Sequence, residues 1–151
     1  GLGDVYKRQA FIGVDVIVGT RGETGEFFEN AYEFIAGLDV TQLHVFSYSE
    51  RPGTQALKIE HVVTPDEKHK RSQRLLTLSD EKTRSFYVRH TGQVMPVLME
   101  KTKAGLPMHG FTTNYIRVEV ENDPSLDNKV VNVLLGELNE EGTALKGTIL
   151  S

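Results

Sequence analysis

Cysteine is absent from this chain of 151 residues. Its absence excludes disulfides, and it excludes zinc or iron–sulfur sites held by cysteine thiolates of these residues. The five histidines lie at positions 44, 61, 69, 90 and 109. No pair of them has the spacing that places two ligands on one face of a helix, so we expect no metal site here.

Long apolar runs are missing as well. No run approaches the roughly 18 residues that a membrane-spanning helix needs, and no basic segment followed by an apolar one opens the sequence. The glycine-containing stretch at residues 19–24 lacks the lysine of a phosphate-binding P-loop. We therefore expect a cytoplasmic protein with no membrane partner.

Charge is distributed unevenly along the chain. Hydrophobic residues make up 38% and charged residues 25%, within the range of globular proteins, and the net charge is −4. Residues 64–90, however, hold seven Lys or Arg against four Asp or Glu. Such a basic segment indicates either a nucleic-acid contact or simply a solvated helix face, and charge alone does not decide between them.

Residues 10–63 predict one strand–helix–strand unit. The run from Phe11 to Gly19 is rich in Val and Ile and is typical of a buried parallel strand. Thr24 is placed to cap a helix that Gly37 ends, and Leu43 to Phe46 forms the next strand. The apolar face of that helix is predicted at Phe27, Ala31, Phe34, Ile35 and Leu38. Residues 1–9 fit no such pattern and are typical of a translated adapter or vector scar, so they are left out of the fold prediction.

A long helix and a small barrel are predicted to follow. The segment Thr64-Pro65-Asp66-Glu67 is a capping box with proline in the first turn, and the helix can run to about Tyr87. From Gln93 onward the apolar residues recur at every second position, in runs at 94–100, 116–120, 129–138 and 145–150. Short strands at this spacing predict a small antiparallel barrel. We place the domains at residues 10–87 and 88–151.

Candidate ligand-binding residues follow both predicted strands, at the sheet edge where α/β proteins bind ligands. After the first strand, Gly19 and Gly22 permit close approach of a ligand, with Glu23 beside them, or they form only a tight turn. Asp15 interrupts the first strand, so it needs either a structural partner or a place in a barrel lumen near a ligand.

The turn after the second strand carries further candidates. The hydroxyls of Ser47 and Tyr48 can contact a ligand, or they can serve only the turn. Arg51 can bind a phosphate or carboxylate with two hydrogen bonds, and the alternative is an ion pair with Glu50. His44 is expected in the core.

Basic and aromatic residues suggest an RNA surface. On the long helix the candidates for phosphate contacts are Lys68, Lys70, Arg71, Arg74, Lys82, Arg84 and Arg89, and a solvated helix face is the alternative. On the barrel they are Lys101, Lys103, Arg117 and Lys146, with Phe111 and Tyr115 to stack on unpaired bases. The two aromatic residues could equally belong to the core.

Two segments carry a family resemblance. The sequence from Val14 to Thr24 is similar to VD-x-I-x-G-x-x-GET, and that from Tyr48 to Ala56 is similar to YS-x-RPGT-x-A. Both patterns resemble the radical S-adenosylmethionine methylthiotransferases. The resemblance implies a partial TIM barrel at the first unit and a TRAM domain, an OB-like RNA-binding barrel, at the second. The Glu50-Arg51-Pro52 wording looks most like the branch that modifies N-6-threonylcarbamoyladenosine at tRNA position 37.

The resemblance also implies a cofactor set. S-adenosylmethionine would lie beside Asp15, Gly19, Gly22, Glu23, Ser47 and Tyr48, whereas tRNA, through its anticodon loop, would contact Arg51, Lys68, Arg71, Arg74, Lys101, Lys103 and Arg117. Two 4Fe–4S clusters and an electron donor would complete the enzyme. The cluster-binding cysteines of the family are absent, so we expect a C-terminal fragment that contains no catalytic residue and is inactive by itself.

Two other functions stay open. One is a non-catalytic RNA-binding protein whose α/β part is only a scaffold, and the other is a methylthiotransferase that acts on a ribosomal protein. Oligomeric state does not follow from the sequence. Because two strands of an open barrel leave edges uncovered, we expect residues 10–63 to be poorly ordered or prone to aggregation when the chain is expressed alone.

Overall fold

The structure, a computed structural model, describes residues 9–150. The described chain forms two compact units, here called the α/β unit, residues 12–82, and the barrel unit, residues 9–11 with 83–150. The predicted foreign segment, residues 1–9, lies outside the described residues except for Gln9, whose carbonyl accepts a hydrogen bond from Asn114 Nδ2 at 2.8 Å.

The α/β unit contains the predicted strand–helix–strand order. Strand β1 is Gly13–Val18, helix α1 is Gly25–Ala36 and strand β2 is Gln42–Ser47. The strands pair in parallel, with Gly13 opposite Gln42 and Val18 opposite Ser47. Together they form a two-stranded sheet, so the predicted partial TIM barrel is not shown by the described residues.

Helix α1 begins and ends where the caps predict, but the face that it buries is only partly the predicted one. Thr24 Oγ1 accepts a hydrogen bond from Phe27 N at 3.2 Å, and Gly37 forms the C-cap. Phe28 is buried against the sheet, whereas Phe27 and Phe34 are 62% and 69% exposed. The predicted face is therefore confirmed only for Ile35, which packs against the core, whereas Phe28 and Tyr32 take the places predicted for Phe27 and Phe34. Apolar residues recur at helical spacing on both sides of α1, and only packing against the strands decides which side is covered.

Helix α2, Pro65–Val88, covers one face of the sheet. Its predicted cap is confirmed by Thr64 Oγ1, which accepts from Glu67 N at 3.2 Å. Leu75 and Leu78 join the core around Val18, Phe28 and Leu43. Ser79 ties the helix to β2, because its hydroxyl accepts from Leu43 N at 2.9 Å and contacts Leu43 O at 3.2 Å. Residues of α2 from Thr83 onward belong to the barrel unit.

The barrel has five strands: β3 (Val94–Met99), β4 (Met108–Thr112), β5 (Arg117–Val120), β6 (Val130–Leu138) and β7 (Leu145–Ile149). They close in the order β3-β4-β5-β7-β6, with antiparallel pairs except for parallel β5 and β7. Sequence reasoning missed β4. Its Gly110 weakens the strand pattern, yet glycine is needed there, because a Cβ would lie 2.5 Å from Leu98 O.

The barrel interior is apolar. Val97, Met99, Val118 and Leu145 are fully buried, and Phe86 of α2 joins the same core. Phe11, predicted to start β1, instead belongs to the barrel unit, where its ring packs edge-on against Phe86 with centroids 5.8 Å apart. The side chains of β5 that alternate with the core residues point to the outer surface, which is where a ligand can reach them.

Candidate functional site

The two predicted ligand-binding loops meet at the carboxyl edge of the sheet. Tyr48 N donates to Val18 O at 2.8 Å, so the chain leaving β2 stays paired with the end of β1. Gly19 and Gly22 have φ values of 84° and 87°, a conformation that L side chains rarely adopt. The predicted neighbourhood of the two loops is therefore present in the α/β unit.

Glu23 and Arg71 form a buried network that holds the first loop. Glu23 Oε1 accepts from Gly19 N at 3.0 Å and from Arg71 Nη1 at 2.9 Å, and the same guanidinium nitrogen bonds Glu23 O at 2.8 Å. Arg71 is only 5% exposed. Its guanidinium is thus directed at Glu23, and a role in contacting phosphate from solvent does not fit this position. The carboxylate of Glu23 in turn has its hydrogen-bond partners, Gly19 N and Arg71 Nη1, within the protein itself.

The two glycines make room for the protein's own side chains. A Cβ on Gly19 would lie 2.4 Å from Lys68 Cγ, and one on Gly22 would lie 3.3 Å from Ile59 Cγ2. Lys68 Nζ donates to Tyr48 O at 3.3 Å and lies 5.7 Å from the centre of the Tyr48 ring. These contacts favour the alternative in which Gly19 and Gly22 only form a tight turn. They also show that the Lys68 side chain packs against Gly19 and Tyr48 instead of extending freely into solvent.

Arg21 joins the two loops, a role that sequence reasoning missed. Its Nε donates to Glu50 Oε1 at 2.7 Å, and its Nη1 donates to Leu57 O and Ile59 O at 3.1 and 3.0 Å. This pairing raises the pKa of Arg21 and lowers the pKa of Glu50. Because Glu50 pairs with Arg21, the alternative in which it pairs with Arg51 is wrong.

A groove of about 460 Å³ lies beside these loops. It is lined by Ile17, Phe46, Ser47, Tyr48, Ser49, Arg51, Thr54 and Ala56. Ile17 and Phe46 are more than half exposed, Arg51 is exposed, and Ser47 Oγ lies 3.2 Å from Ser72 Oγ. The groove therefore combines an apolar floor with hydroxyls and one cation, a combination suited to a nucleoside-like ligand that carries a negative charge.

Asp15 and His44 face each other across the two strands. They are register partners and both are exposed, on strands whose side chains alternate between the core and solvent. The expectation of a fully buried first strand and a core His44 was therefore wrong. One face of the sheet packs on the helices, and Asp15 lies on the other face, the face that carries Ile17 of the groove.

Most predicted RNA-contacting cations on the first part of α2 bond their own unit. Arg74 forms a bidentate ion pair with Glu29, and its guanidinium carbon lies 4.5 Å from the centre of the Tyr32 ring. Its guanidinium lowers the pKa of Glu29. Lys82 Nζ donates to the carbonyls of Ala36 and Leu38 at 3.1 and 2.7 Å. These contacts fasten α2 to α1, so the basic charge of this segment has a structural use.

The barrel unit carries a polar cluster on the outer face of β4 and β5. His109 Nε2 lies 3.0 Å from Glu119 Oε2, and Asn139 Nδ2 donates to the same oxygen at 3.0 Å. The hydrogen bond from Asn139, helped by His109, lowers the pKa of Glu119. Arg117 Nη1 reaches Thr143 Oγ1 at 3.4 Å. Of these, sequence reasoning named only Arg117, although the alternation in β5 puts Glu119 on the same face.

The other predicted RNA-binding residues of the barrel lie at its surface. Lys101 and Lys103 are exposed in the loop between β3 and β4. Phe111 and Tyr115 are 37% and 66% exposed, so the alternative of a core position is wrong for both. They border an apolar groove of about 530 Å³ that also includes Pro96, Leu98 and Val130.

Within residues 9–150 no three histidine, aspartate or glutamate side chains are grouped so as to hold a metal ion. No helix in the same described range is long and apolar enough to cross a bilayer.

The strand order of the barrel indicates the class of fold to which this unit belongs. The strand order of the barrel, with its third and fifth strands parallel, matches an OB-like barrel and is compatible with a TRAM domain, here following an α/β unit. No protein-family model matches the chain.

Curated relatives then give the family. The threonylcarbamoyladenosine tRNA methylthiotransferase MtaB of Bacillus subtilis is 35% identical over 123 residues, which is 79% of this chain and 27% of that protein. The tRNA-2-methylthio-N(6)-dimethylallyladenosine synthase of Aliarcobacter butzleri is 32% identical over 145 residues, 93% of this chain and 32% of that protein. The MtaB protein of Aquifex aeolicus is 33% identical over 124 residues, 82% and 29% respectively.

The resemblance inferred from the two sequence patterns is thereby confirmed. The chain is a homologue of the tRNA methylthiotransferases, with 29–35% identity over most of its length. It spans about a third or less of the length of these relatives.

Proposed function

We propose that this chain is part of a tRNA methylthiotransferase that adds a methylthio group to carbon 2 of N-6-threonylcarbamoyladenosine at tRNA position 37. The observation that carries the proposal is the continuous similarity to tRNA methylthiotransferases, which runs through the α/β unit and the barrel alike. Both kinds of relative are named for a modified adenosine and for tRNA, so these features of the substrate are common to them.

The threonylcarbamoyl branch is favoured over the dimethylallyl branch on two grounds. The Bacillus subtilis relative of that branch has the highest identity among those described above, 35% against 32% for the dimethylallyl synthase. The motif Glu50-Arg51-Pro52 in the turn after β2 also resembles the sequences of the threonylcarbamoyl branch. Since the margin in identity is small, the experiment below measures both products.

The groove at the carboxyl edge of the sheet fits one wall of an S-adenosylmethionine site. Ile17 and Phe46 offer apolar surface to the adenine, and Ser47 and Tyr48 offer polar groups beside it. When bound, the cofactor supplies the radical chemistry of the family. Arg51, exposed at the same groove, is proposed to hold an anionic group of the cofactor or of the tRNA. Asp15 lies on the same face of the sheet.

The iron–sulfur clusters do not fit these residues. The chain has no cysteine to ligate a cluster, so both 4Fe–4S clusters and the contact with an electron donor would depend on other parts of the enzyme. We accordingly expect the 151-residue chain to form no methylthio product by itself. Its contribution is to bind and orient the cofactor and the RNA.

The experiment is nucleoside analysis of tRNA. The complete reading frame that contains this chain is expressed in a bacterium lacking its own methylthiotransferases, and the digested tRNA is examined by liquid chromatography and mass spectrometry. We expect the 2-methylthio derivative of threonylcarbamoyladenosine. The dimethylallyl product instead would reassign the branch, and the absence of any methylthio nucleoside would refute the proposal. Mass spectrometry of the ribosomal proteins from the same cells would then show whether a methylthio group is added to one of them, which would reassign the substrate.

The second candidate is a non-catalytic RNA-binding protein. The observation that favours it is a barrel that exposes Phe111, Tyr115 and Lys101 and has Arg117 opposite Phe111 in the strand register, in a chain without cysteine. It predicts tRNA binding that weakens steeply with salt and no binding of S-adenosylmethionine by any longer form. Binding of S-adenosylmethionine by the complete protein, measured calorimetrically, would exclude it.

A further inference from the structure

We propose that Glu119 reads the bases of single-stranded RNA on the barrel, and that it selects bases that carry an amino group over uracil. The inference rests on the proposed RNA-binding function. It concerns the outer face of β4, β5 and β7, where His109, Phe111, Arg117, Glu119 and Lys146 lie side by side in the register of the strands. We call this set the β5 face.

The β5 face has a mixed charge pattern that suits RNA. Glu119 is opposed by His109 on one side and by Lys146 on the other, and Arg117 lies two residues before it on the same strand. Lys146 and Arg117 are cations that attract phosphates, and they offset the negative charge of the Glu119 carboxylate beside them. The strand order of the barrel also supports RNA binding at this face. OB folds bind oligonucleotides on their second and third strands, which are β4 and β5 here.

Glu119 is held in place with acceptor capacity to spare. His109 and Asn139 both bond Oε2, which fixes the carboxylate plane and keeps the group ionised. Neither bond involves Oε1. The side chain is 22% exposed and borders a cavity of about 710 Å³ on the barrel, together with Leu106, Pro107 and Lys146. Oε1 of this fixed, partly exposed carboxylate can therefore accept a hydrogen bond from an N–H group of a ligand.

Phe111 brings a base within reach of that acceptor. It is diagonal to Glu119 across the β4–β5 pair, one place along from the directly opposed His109. Diagonal neighbours on a sheet are roughly 7–8 Å apart, within the reach of aromatic and long side chains. A base stacked on the exposed Phe111 ring can therefore present its edge to Glu119, as unpaired RNA bases do on barrels of this type.

The chemistry of the base edges then gives the selectivity. Adenine, cytosine and guanine each present an amino group that donates to a carboxylate. Uracil presents two carbonyl oxygens that flank its only N–H donor, so a carboxylate meets acceptors on both sides. Glutamine at this position has both a donor and an acceptor, and it can satisfy either kind of edge.

The test uses the 151-residue chain and labelled homopolymers of adenosine, cytidine and uridine, each of about eight nucleotides, which lies within the site size of one OB fold. Fluorescence anisotropy gives the dissociation constants at low salt. We expect the adenosine and cytidine RNAs to bind about tenfold more tightly than the uridine RNA. In Glu119→Gln this ratio should fall to about twofold or less, since the amide tolerates uracil. Glu137→Gln removes an exposed charge of β6, outside the β5 face, and should keep the full ratio.

Each result decides a different point. Equal binding of the three RNAs by the wild type, or an unchanged ratio in Glu119→Gln, would overturn the inference while leaving RNA binding intact. Failure to bind any of them would refute RNA binding by the barrel and the inference together, and the nucleoside analysis would still judge the enzyme. If Glu119→Gln does not fold, amide NMR of the wild type decides. The adenosine RNA should shift Val118–Val120 and Leu145–Gly147, and the uridine RNA should need about tenfold higher concentrations to shift them.

Discussion

Arg71 is expected to be the most sensitive charged residue of the α/β unit. Its side chain is 6% exposed and that of its partner Glu23 is 15% exposed, and they are joined at 2.9 Å. Through Glu23 the same network reaches the amide of Gly19, so one guanidinium fixes the loop between β1 and α1. Replacement of Arg71 by methionine keeps most of the side-chain volume but leaves the Glu23 carboxylate without its cation.

The size of the effect follows from burial. Breaking a buried ion pair by removing one partner costs about 3–5 kcal/mol, because the remaining charge loses its partner in a poorly solvated place. Glu23 keeps the hydrogen bond from Gly19 and a little solvent contact, which argues for the lower end, about 3 kcal/mol. In the double variant Arg71→Met with Glu23→Gln no charge is left unpaired, so its loss should be smaller than the sum of the two single losses.

Native-state hydrogen exchange is the suitable assay, because a chain with two compact units need not unfold in one step. In Arg71→Met the protected amides of β2 should exchange roughly 100-fold faster, while the barrel amides keep their rates. The control is Lys70→Met, which removes an exposed ion pair with Asp66 on the same helix and should leave β2 unchanged. Less than about a fivefold change in Arg71→Met, or a double variant that is additive, would show that the network does not hold the loop.

Three further outcomes are expected. Asn139→Ala should raise the pKa of Glu119, which carboxyl NMR measures. Because this pKa is lowered from its ordinary value near 4.5, the hydrogen bond between Asn139 and Glu119 stabilises the barrel above pH 4.5 and loses its effect as the pH falls through the lowered pKa. Acid-unfolding curves measure this loss of stability. Gly147→Ala should destabilise the barrel by about 1–3 kcal/mol in thermal melts, since its Cβ would lie 2.4 Å from Val133 Cγ1. Replacing exposed Phe27 and Phe34 with serine should change stability by less than about 0.5 kcal/mol each and reduce light scattering on storage.

Each of these has a matched comparison. For the glycine, Gly25→Ala meets no atom within 4 Å and should leave the barrel melt unchanged. For the pKa, an unaltered Glu119 titration in Asn139→Ala would mean that His109 alone sets it. For the phenylalanines, a large loss of stability would show that they are covered in solution. The expectation that residues 10–63 are poorly ordered or prone to aggregation when the chain is expressed alone competes with the Arg71 prediction, because that prediction starts from protected β2 amides. Persistent amide protection in β1 and β2 of the wild type would contradict the expectation of poor order.

Local signals in the sequence located the elements well. The caps at Thr24 and Thr64 are made by the expected hydroxyls, and the parallel pair β1–β2 has the expected strands. These features depend on interactions between residues a few positions apart, or on a simple alternation. They are therefore visible in a single chain.

Features that depend on distant partners were not visible. The burial of Phe28 rather than Phe27 depends on where the sheet lies, and the strand around Gly110 depends on the closeness of β3. The same holds for the candidate sites, where the sequence named Glu23 and Arg71 separately, one for a cofactor and one for RNA. Only the fold shows that each is the other's partner across 48 positions.

Arg21 restrains the loop between β1 and α1 through partners outside that loop. The segment Gly19-Thr20-Arg21-Gly22 has no proline, whose fixed φ would restrict the backbone of such a turn locally. Here three hydrogen bonds from one guanidinium to Glu50 and to the carbonyls of residues 57 and 59 supply a restriction from outside. Because those partners belong to the loop that follows β2, Arg21 couples the two sides of the groove, whereas a proline would stiffen only its own.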